Sequence, residues 1–317
     1  MDGVHSMDRA APETHRGQTR RHNSKGMSVV AVVTLIMIAV FTLSLPTLVS
    51  TSAYGAGVTM KPVRAAVALL PANVRKQGVL VAALTATSPP GSYYPSGSHT
   101  LVGLDPAIAQ LIAGALGLRL QISVVGFDQI IPGIGAGRYQ ITVSEMSPTV
   151  AREKILDFVD YAKTGDALGV LKGNPKHLNI NNLCGLTVGA LAGGYQITQV
   201  LPGINQACLK NKKSAIQFKL YPDDNSPILA LSSGRIDAVY EDSTVLDYAA
   251  SQNSSIEVQT NRNFGPIAVG IGKSTGLTKA VHVAMTAILK SPQYHEVLTS
   301  LGLTSVAVTI AKQNDNG

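Results

Sequence analysis

The sequence predicts an α/β fold with a mainly parallel sheet. From Gly78 onward, short apolar runs alternate with segments of helical periodicity, and this rhythm is typical of parallel sheets covered by helices. The chain has 317 residues, which is long for one hydrophobic core and suits either two lobes or one domain with tails. Trp is absent and aromatic residues are few, so we expect an aliphatic core.

The first part of the chain has the features of an export signal. Residues 1–27 are polar and rich in Arg, Val29 to Leu45 run without a charge, and small residues follow. We expect residues 1–56 to be a cytoplasmic n-region and a secretory signal peptide, and 57–76 to be a linker. The alternative is an uncleaved membrane anchor over residues 29–49. In both cases the body is exported to the extracellular or periplasmic face.

The body opens with a strand and a helix whose limits are marked in the sequence. Val79–Leu84 is a short apolar run of the kind found in buried parallel strands. Asp105 is a suitable N-cap, and Pro106 a suitable first-turn residue, for the helix that follows. Apolar residues at helical spacing continue to Leu116, and Gly117 is expected to end the helix.

The same alternation continues to the end of the body. Strands are expected over 120–125, 140–144, 167–171, 186–191, 216–220, 236–240 and 267–271. Helices are expected over 127–135, 197–209, 227–233, 243–251, 277–290 and 293–301. A C-terminal tail of residues 303–317 follows, and we expect disorder from Gln313.

Charge and cysteine content exclude one class of partner and indicate a compartment. The net charge of +7 is spread along the chain, whereas nucleic-acid binding needs a clustered basic face, so we expect no nucleic-acid partner. Cys184 and Cys208 both follow the export segment, and a lone pair in an oxidising compartment usually forms a disulfide. This bridge would close a loop of about 25 residues and stabilise the fold by roughly 3 kcal/mol. The alternative is two buried thiols.

Several motifs of the body are specific in combination, through their order and spacing. They are Pro89-Pro90 with Tyr93-Tyr94, Leu101-Val102-Gly103-Leu104-Asp105, Gly126-Phe127-Asp128 with Ile131-Pro132, Gly137-Arg138-Tyr139, Ser147-Pro148-Thr149 with Ala151-Arg152-Glu153, Leu156-Asp157-Phe158, Leu186-Thr187-Val188-Gly189, and Ser233-Gly234-Arg235-Ile236-Asp237-Ala238-Val239. Together they resemble the family 3 extracellular solute-binding proteins, which serve ABC importers of polar amino acids. The resemblance covers nearly all of residues 77–302.

The resemblance implies a two-lobed clamp of the periplasmic-binding-protein type II fold. Lobe 1 would comprise residues 77–166 and 264–302, and lobe 2 residues 167–263. A ligand would bind between the lobes, at the carboxyl ends of strands, and closure would be a hinge motion. The implied function is the substrate-binding component of an ABC importer. Such a protein is a monomer that binds a small amino acid and presents it to the permease without catalysis.

The resemblance also assigns the two charged groups that a zwitterion needs. Arg152 matches the family's carboxylate-binding arginine, and its planar guanidinium suits two parallel hydrogen bonds to a carboxylate. Asp242, just after a predicted strand, matches the ammonium-binding acid, and Glu241 is the alternative in register. If they had no such role, Arg152 would pair with Glu153 or Asp157 at the surface and Asp242 would cap a helix.

Six further residues complete the predicted ligand site. They are Tyr94, Phe127, Ser144, Ser147, Gly194 and Tyr195. The two serines match positions that hydrogen-bond the ligand backbone, and the Gly-Tyr pair precedes a helix whose N–H groups would face the carboxylate. The two aromatic side chains would form walls against the ligand's side chain. Ordinary loop hydrogen bonding and core packing are the alternative roles.

Ligand specificity is expected to depend on Glu145. The acid that the family has after its first strand is missing, with Thr85 or a neighbour in its place. Glu145 instead occupies a position that is usually small and polar. A carboxylate there favours a cationic or hydrogen-bonding side chain and disfavours an acidic one. We therefore expect a polar amino acid, basic ones included, over glutamate or aspartate, unless Glu145 points into solvent.

Two other functions are compatible with the same fold. One is a dehydratase acting on prephenate-like acids (a cyclohexadienyl or arogenate dehydratase), with Glu145 as its acidic catalyst. The other is a ligand-sensing module. The sequence shows no Ser–His–Asp order, no metal-ligand spacing and no phosphate-binding loop. We therefore expect no enzyme activity, no catalytic residue, no metal site and no cofactor.

Overall fold

The computed structural model describes residues 58–314, except for the side chains of residues 260–263. The predicted signal peptide or anchor, residues 1–56, lies outside the described residues, as do residues 315–317. No described helix combines the length and the apolarity that crossing a membrane requires.

Strands and helices alternate along the described chain. The strands are β1 Val79–Leu84, β2 Thr87–Ser88, β3 Ser92–Tyr93, β4 Arg119–Val124, β5 Ile141–Thr142, β6 Leu156–Leu171, β7 Thr187–Leu191, β8 Gln217–Tyr221, β9 Ala238–Asp242 and β10 Ile256–Gly272. The α-helices are α1 Arg64–Ala68, α2 Ala72–Gln77, α3 Leu104–Leu116, α4 Phe127–Gly135, α5 Leu201–Lys210, α6 Asn225–Ser232, α7 Ser243–Gln252, α8 Thr278–Ile288 and α9 Pro292–Ser300. A π-helical turn, Gln196–Val200, leads into α5, and a 3₁₀ turn, Arg152–Lys154, precedes β6.

One sheet runs through the described chain in the order β4-β1-β5-β10-β6-β9-β7-β8, and β2 and β3 form a separate hairpin. At one end of the sheet, β1 pairs in parallel with β4 and β5. At the other end, β7 pairs in parallel with β8 and β9. The long strands β6 and β10 pair antiparallel through the middle and connect the two parallel parts. The predicted alternation of strands and helices is therefore present.

The long middle strands differ from their predicted lengths. The expected strand over 167–171 is only the last part of β6, and the expected strand over 267–271 is only the last part of β10. The first part of β6 carries Asp157, Asp160, Lys163 and Asp166. Charged residues at these positions interrupt the apolar pattern, so sequence periodicity does not extend the strand.

The apolar residues pack into clusters on both parts of the sheet. The largest cluster joins α3 and α8 to β1, with fully buried Leu111, Met285 and Leu80 among its members. A second cluster lies on β7 and β9 and includes Val188 and Cys208. Cys208, on α5, forms the predicted disulfide with Cys184, which lies just before β7. The disulfide prediction is therefore confirmed.

Two predicted tails belong to the folded body instead. Residues 57–76, expected to be a linker, contain α1 and α2, and Ala66, Leu70 and Val74 lie in the largest cluster. At the C-terminus, Leu303 and Val306 are buried in the same cluster. For Gln313 and Asn314 the expected disorder is wrong, because Gln313 forms a bridge to β6 and Asn314 Oδ1 accepts from the Phe158 N–H at 2.8 Å. The rest of that predicted tail, residues 315–317, lies outside the described residues. Short, weakly periodic segments gave no signal of this packing.

The start of α3 corrects the predicted cap. The N-cap is Gly103, with φ of 122°, and a Cβ there would overlap the carbonyl oxygens of Pro90 and Gly91. Asp105 lies inside the helix and is fully buried. Its Oδ1 accepts a hydrogen bond from the Tyr161 hydroxyl at 2.6 Å instead of capping the helix.

Candidate functional site

A polar cavity lies where several strands end. Thr85 follows β1, Ser144 follows β5, Leu191 ends β7 and Asp242 ends β9, and all four line the cavity. Binding sites of open α/β sheets collect at such carboxyl ends. The other lining residues are Ser88, Phe127, Glu145, Ser147, Arg152, Gly194, Tyr195, Gln196, Asp224 and Glu241. Most of the residues predicted to bind ligand therefore meet at one place.

Arg152 is buried at the edge of this cavity, with 7% of the residue exposed. Its guanidinium donates to the Ser147 carbonyl at 2.6 Å and to the Gly193 carbonyl at 2.8 Å, and its Cζ lies 5.4 Å from the centre of the Phe127 ring. Asp157 pairs with Lys273 instead, so the alternative of an Arg152–Asp157 surface pair is wrong. Within the described chain, Arg152 has no ion-pair partner.

Burial lowers the pKa of Arg152 to about 10, an effect that the ionised form of Asp242 opposes. The guanidinium therefore remains a cation at neutral pH. Two of its N–H groups are held by backbone carbonyls, which are neutral, so its charge is not cancelled by these bonds. An anionic group entering the cavity would gain both hydrogen bonds and charge pairing from it.

Asp242 lies in the same cavity, and its carboxylate does not cap α7. It is the residue before the first turn of α7 but makes no capping hydrogen bond. Its Oδ1 instead accepts from the Gln196 amide at 2.8 Å. Burial raises the pKa of Asp242 to about 8, with further contributions from Asp166 and Asp224. A cation at this carboxylate would compensate the cost of charging it.

Three more carboxyl groups make the cavity acidic. Glu145, Asp224 and Glu241 all line it and are all buried. Burial raises the pKa of Glu145 and of Glu241 well above the usual range, and neighbouring carboxyls add to both shifts. Burial also raises the pKa of Asp224 to about 7. Among the described residues that line the cavity, four are acidic and Arg152 is the one basic residue.

Glu145 points into the cavity and not into solvent. Its φ is 48°, a left-handed conformation that few residues other than Gly adopt. Its N–H donates to the Tyr161 hydroxyl at 2.9 Å, and that hydroxyl donates to Asp105. Its carboxylate accepts from Ser88 at 3.1 Å and from Thr244 at 3.4 Å. The turn that carries Glu145 is therefore held by buried hydrogen bonds to Tyr161 on β6, which is bonded in turn to Asp105 on α3.

The other predicted residues at the cavity differ in whether their polar groups are already hydrogen-bonded within the protein. The Ser144 hydroxyl accepts from the Thr85 N–H at 3.2 Å, so it is already used inside the protein. Ser147 contacts Arg152 through its carbonyl oxygen. Gly194 and Tyr195 line the cavity just before the π-helical turn. Phe127, Ser144, Ser147, Gly194 and Tyr195 are thus brought together with the two charged groups.

Tyr94 is the exception among the predicted residues. It is 45% exposed and does not line this cavity, so the structure does not bring it together with the other predicted residues. Its neighbour Tyr93 packs against Tyr248, with ring centres 6.0 Å apart and the ring planes tilted by 48°. Alternation of side chains along a strand places these two residues on opposite faces.

Some residues of the site were not found from the sequence. Asp224 follows β8 in the chain, and the rule that sites gather at strand ends could have indicated it. Ser88 and Gln196 gave no such signal, because their roles depend on which loops meet. The described residues contain no cluster of His, Cys, Asp and Glu suited to a metal ion.

Comparison with known proteins defines the family. The sequence profile of the bacterial extracellular solute-binding proteins, family 3, matches residues 80–300. The arginine-binding protein ArgT of Corynebacterium glutamicum is 25% identical over 244 residues, covering 76% of this chain and 80% of that protein. The chain therefore belongs to the family 3 extracellular solute-binding proteins.

Solved structures agree with this membership. The amino-acid ABC transporter substrate-binding protein AbpA of Streptococcus pneumoniae, solved with L-arginine bound, matches with a TM-score of 0.63 and 25% identity, over 74% of this chain and 98% of that chain. An ancestral amino-acid-binding protein, AncCDT-1, described as a precursor of cyclohexadienyl dehydratase, matches with a TM-score of 0.63 and 23% identity, over 72% and 97% of the two chains. These matches confirm the predicted fold class, the α/β periplasmic-binding-protein type II fold.

Proposed function

We propose that this protein binds a polar amino acid with a basic side chain in the acidic cavity and delivers it to an ABC importer. The single observation that carries the proposal is that Arg152 and Asp242 line one cavity although they lie 90 positions apart in the chain. A free amino acid needs a cation for its carboxylate and an anion for its ammonium when both are removed from water.

The arrangement suggests how each part of the ligand is held. The α-carboxylate would bind the guanidinium of Arg152, together with backbone N–H groups at Gly194 and Tyr195. The α-ammonium would bind Asp242. The side chain would then face Glu145 and Asp224, whose hydrogen-bond partner Ser88 lies between them. A basic side chain would favour the ionised form of these acids, whereas an acidic one would add to their repulsion.

We also propose that closure follows ligand binding through contacts between two lobes. The predicted division places residues 77–166 and 264–302 in one lobe and 167–263 in the other. Under this division, the hydrogen bonds from Arg152 to the Gly193 carbonyl and from Thr244 to Glu145 join opposite lobes. A ligand that touches both lobes would shift the equilibrium towards the closed form by its extra contacts there.

Two relatives support the proposed ligand class and the proposed role in transport. Arginine binding is stated for the Corynebacterium protein and in the bound state of the Streptococcus structure, and the latter is a transporter component. We infer that this chain acts as a monomer outside the cytoplasm with an ABC permease as its partner. Its export signal, or an anchor over residues 29–49, would be its contact with the membrane.

Calorimetric titration with arginine, lysine, histidine, glutamine and glutamate tests the ligand class. We expect tightest binding to a basic amino acid and weakest binding to glutamate. Glu145→Gln keeps the shape but removes the charge, so it should weaken arginine binding by about tenfold, as expected for a lost charged hydrogen bond, and change glutamine binding little.

The matched control is Glu257→Gln, which makes the same change on β10, outside the cavity-lining residues. It should leave all affinities unchanged. Tightest binding to glutamate, or an equal loss for arginine and glutamine in Glu145→Gln, would contradict the proposal.

A dehydratase remains the second candidate, because Glu145 and Glu241 are buried carboxyls with a raised pKa, as a general acid at neutral pH requires. Incubation with prephenate or arogenate, followed by product detection, distinguishes the two. Turnover would favour the enzyme. A ligand-dependent rise in melting temperature without turnover would favour binding and also speak against a module that has lost its ligand.

A further inference from the structure

A second, larger cavity adjoins the proposed amino-acid site. Its volume is about 490 Å³, and it shares Ser147, Tyr195 and Asp242 with the first cavity. Its other walls come mainly from the middle of β6 and β10, including Asp166 and Phe264. The proposed function leaves this space without a role.

Two carboxyl groups lie side by side in the wall of this cavity. Asp166 on β6 and Asp242 on β9 are directly opposite in antiparallel register, where like charges repel. Asp242 accepts from the Gln196 amide, and Asp166 also has a hydrogen bond with Gln196. Among the described side chains that line the cavity there is no Lys, Arg or His. Among the described lining side chains, the pair therefore has no cation beside it.

A separate observation concerns Tyr240, which lies two residues before Asp242 on β9 and therefore on the same face of the strand. It lines the cavity and is fully buried, yet its hydroxyl has no hydrogen-bond partner among the described residues. Buried polar groups in native proteins are nearly always paired, so an unpaired one at a cavity indicates a missing partner. The partly exposed ring of Tyr195 also lines this space, and aromatic faces attract cations. The ring of Phe264 lines it too, with the Lys163 ammonium 5.4 Å from the ring centre.

We propose that this second cavity binds a primary ammonium group, held by Asp166, Asp242 and the hydroxyl oxygen of Tyr240. A primary ammonium has three N–H donors and no acceptor, which matches two carboxylates and one phenol oxygen. The ligand class is therefore a small alkylamine, or the amine end of a longer cation. Because Asp242 also belongs to the first cavity, the amine and the amino acid weaken each other's binding, and this coupling is reciprocal.

Titration of the full-length chain with n-butylammonium tests this site, because the probe has no carboxylate and cannot use Arg152. We expect saturable binding in the millimolar range, and loss of about tenfold or more in affinity for Asp166→Asn. Tyr240→Phe should weaken binding by about threefold. Asp157→Asn makes the same change on the same strand outside the cavity and should not alter the affinity. Melting curves of each variant establish that it is folded.

A second probe separates hydrogen bonding from general attraction of cations. Butyltrimethylammonium has the same charge but no N–H group, so it should bind at least about tenfold more weakly. Equal binding of the two probes would overturn the proposal, as would wild-type affinity in folded Asp166→Asn and Tyr240→Phe. An absence of saturable n-butylammonium binding up to about 50 mM would do the same. The amino-acid titrations report on the first cavity, so their failure with n-butylammonium still bound would leave the second site standing.

Discussion

At the scale of single residues, the proposed grip on the ligand depends on the shape of Arg152 as well as on its charge. Two of its N–H groups are already directed by the Ser147 and Gly193 carbonyls, which leaves the guanidinium plane fixed. Arg152→Lys keeps the charge and removes the planar fork. We expect it to weaken amino-acid binding by about 2 kcal/mol, roughly thirtyfold in Kd, measured by calorimetry.

The matched control is Arg138→Lys, which alters an arginine that lies over the Tyr139 ring and does not line the cavity. It should leave the Kd unchanged. Arg152→Lys also loses bonds to backbone carbonyls, so its melting temperature is compared with that of the control. Wild-type affinity in a folded Arg152→Lys protein would show that the carboxylate is bound elsewhere.

Individual residues of the site also differ in how far the sequence predicts them. Arg152 is predicted from a motif with fixed neighbours and Asp242 from its position just after a strand, and the structure brings them together. Asp224 and Gln196 lie in segments that are ordinary by sequence, and only the packing of loops brings them to the cavity. Tyr94 lies outside the cavity, and its motif does not specify which of two adjacent tyrosines faces inward.

At the scale of elements, the turn after β5 is held by a helix and a strand behind it. The Tyr161 hydroxyl on β6 accepts from the Glu145 N–H and donates to Asp105 on α3. Tyr161→Phe leaves a buried N–H and a buried carboxyl without this partner. We expect a loss of about 3 kcal/mol in the free energy of unfolding, measured by denaturant titration, and a weaker preference for arginine over glutamine.

Tyr94→Phe is the matched control, because it removes the same hydroxyl from an exposed side chain. It should change neither stability nor ligand preference. A stability loss in Tyr161→Phe with the ligand preference intact would assign the network to folding alone. The positioning role of Tyr161 would then be rejected.

Element boundaries show where local sequence signals stop. The helix over Phe127–Gly135 has the limits that the sequence predicts. By contrast, β6 and β10 continue through polar residues that no local rule assigns to strand. Their extension comes from pairing with each other, with Ile256 opposite Leu171 and Gly272 opposite Leu156. Long-range pairing of this kind is set by tertiary structure and not by propensity.

At the scale of the whole molecule, a basic protein encloses a group of buried acids. The chain has a net charge of +7, yet burial raises the pKa of Asp105 and Asp224 to about 7 and that of Asp242 to about 8. Unfolded aspartates have a pKa of about 3.9. Between pH of about 4 and about 8, the folded state therefore holds more protons than the unfolded state, and the free energy of unfolding falls as the pH rises.

We therefore expect the ligand-free protein to melt at a higher temperature at pH of about 5.5 than at pH of about 8, because charging buried carboxyls costs free energy. Asp224→Asn should reduce this difference, since the amide does not titrate. Asp157→Asn should preserve the difference in melting temperature. Burial raises the pKa of Asp157, but the hydrogen bond from Thr278 and the charge of Lys273 outweigh this and lower it. Asp157 is therefore ionised at both pH values. Thermal unfolding followed by circular dichroism across this range measures the slope. A melting temperature that rises from pH of about 5.5 to about 8 would mean that the acids of the cavity are ionised in the free protein, and that a cation other than Arg152 compensates them.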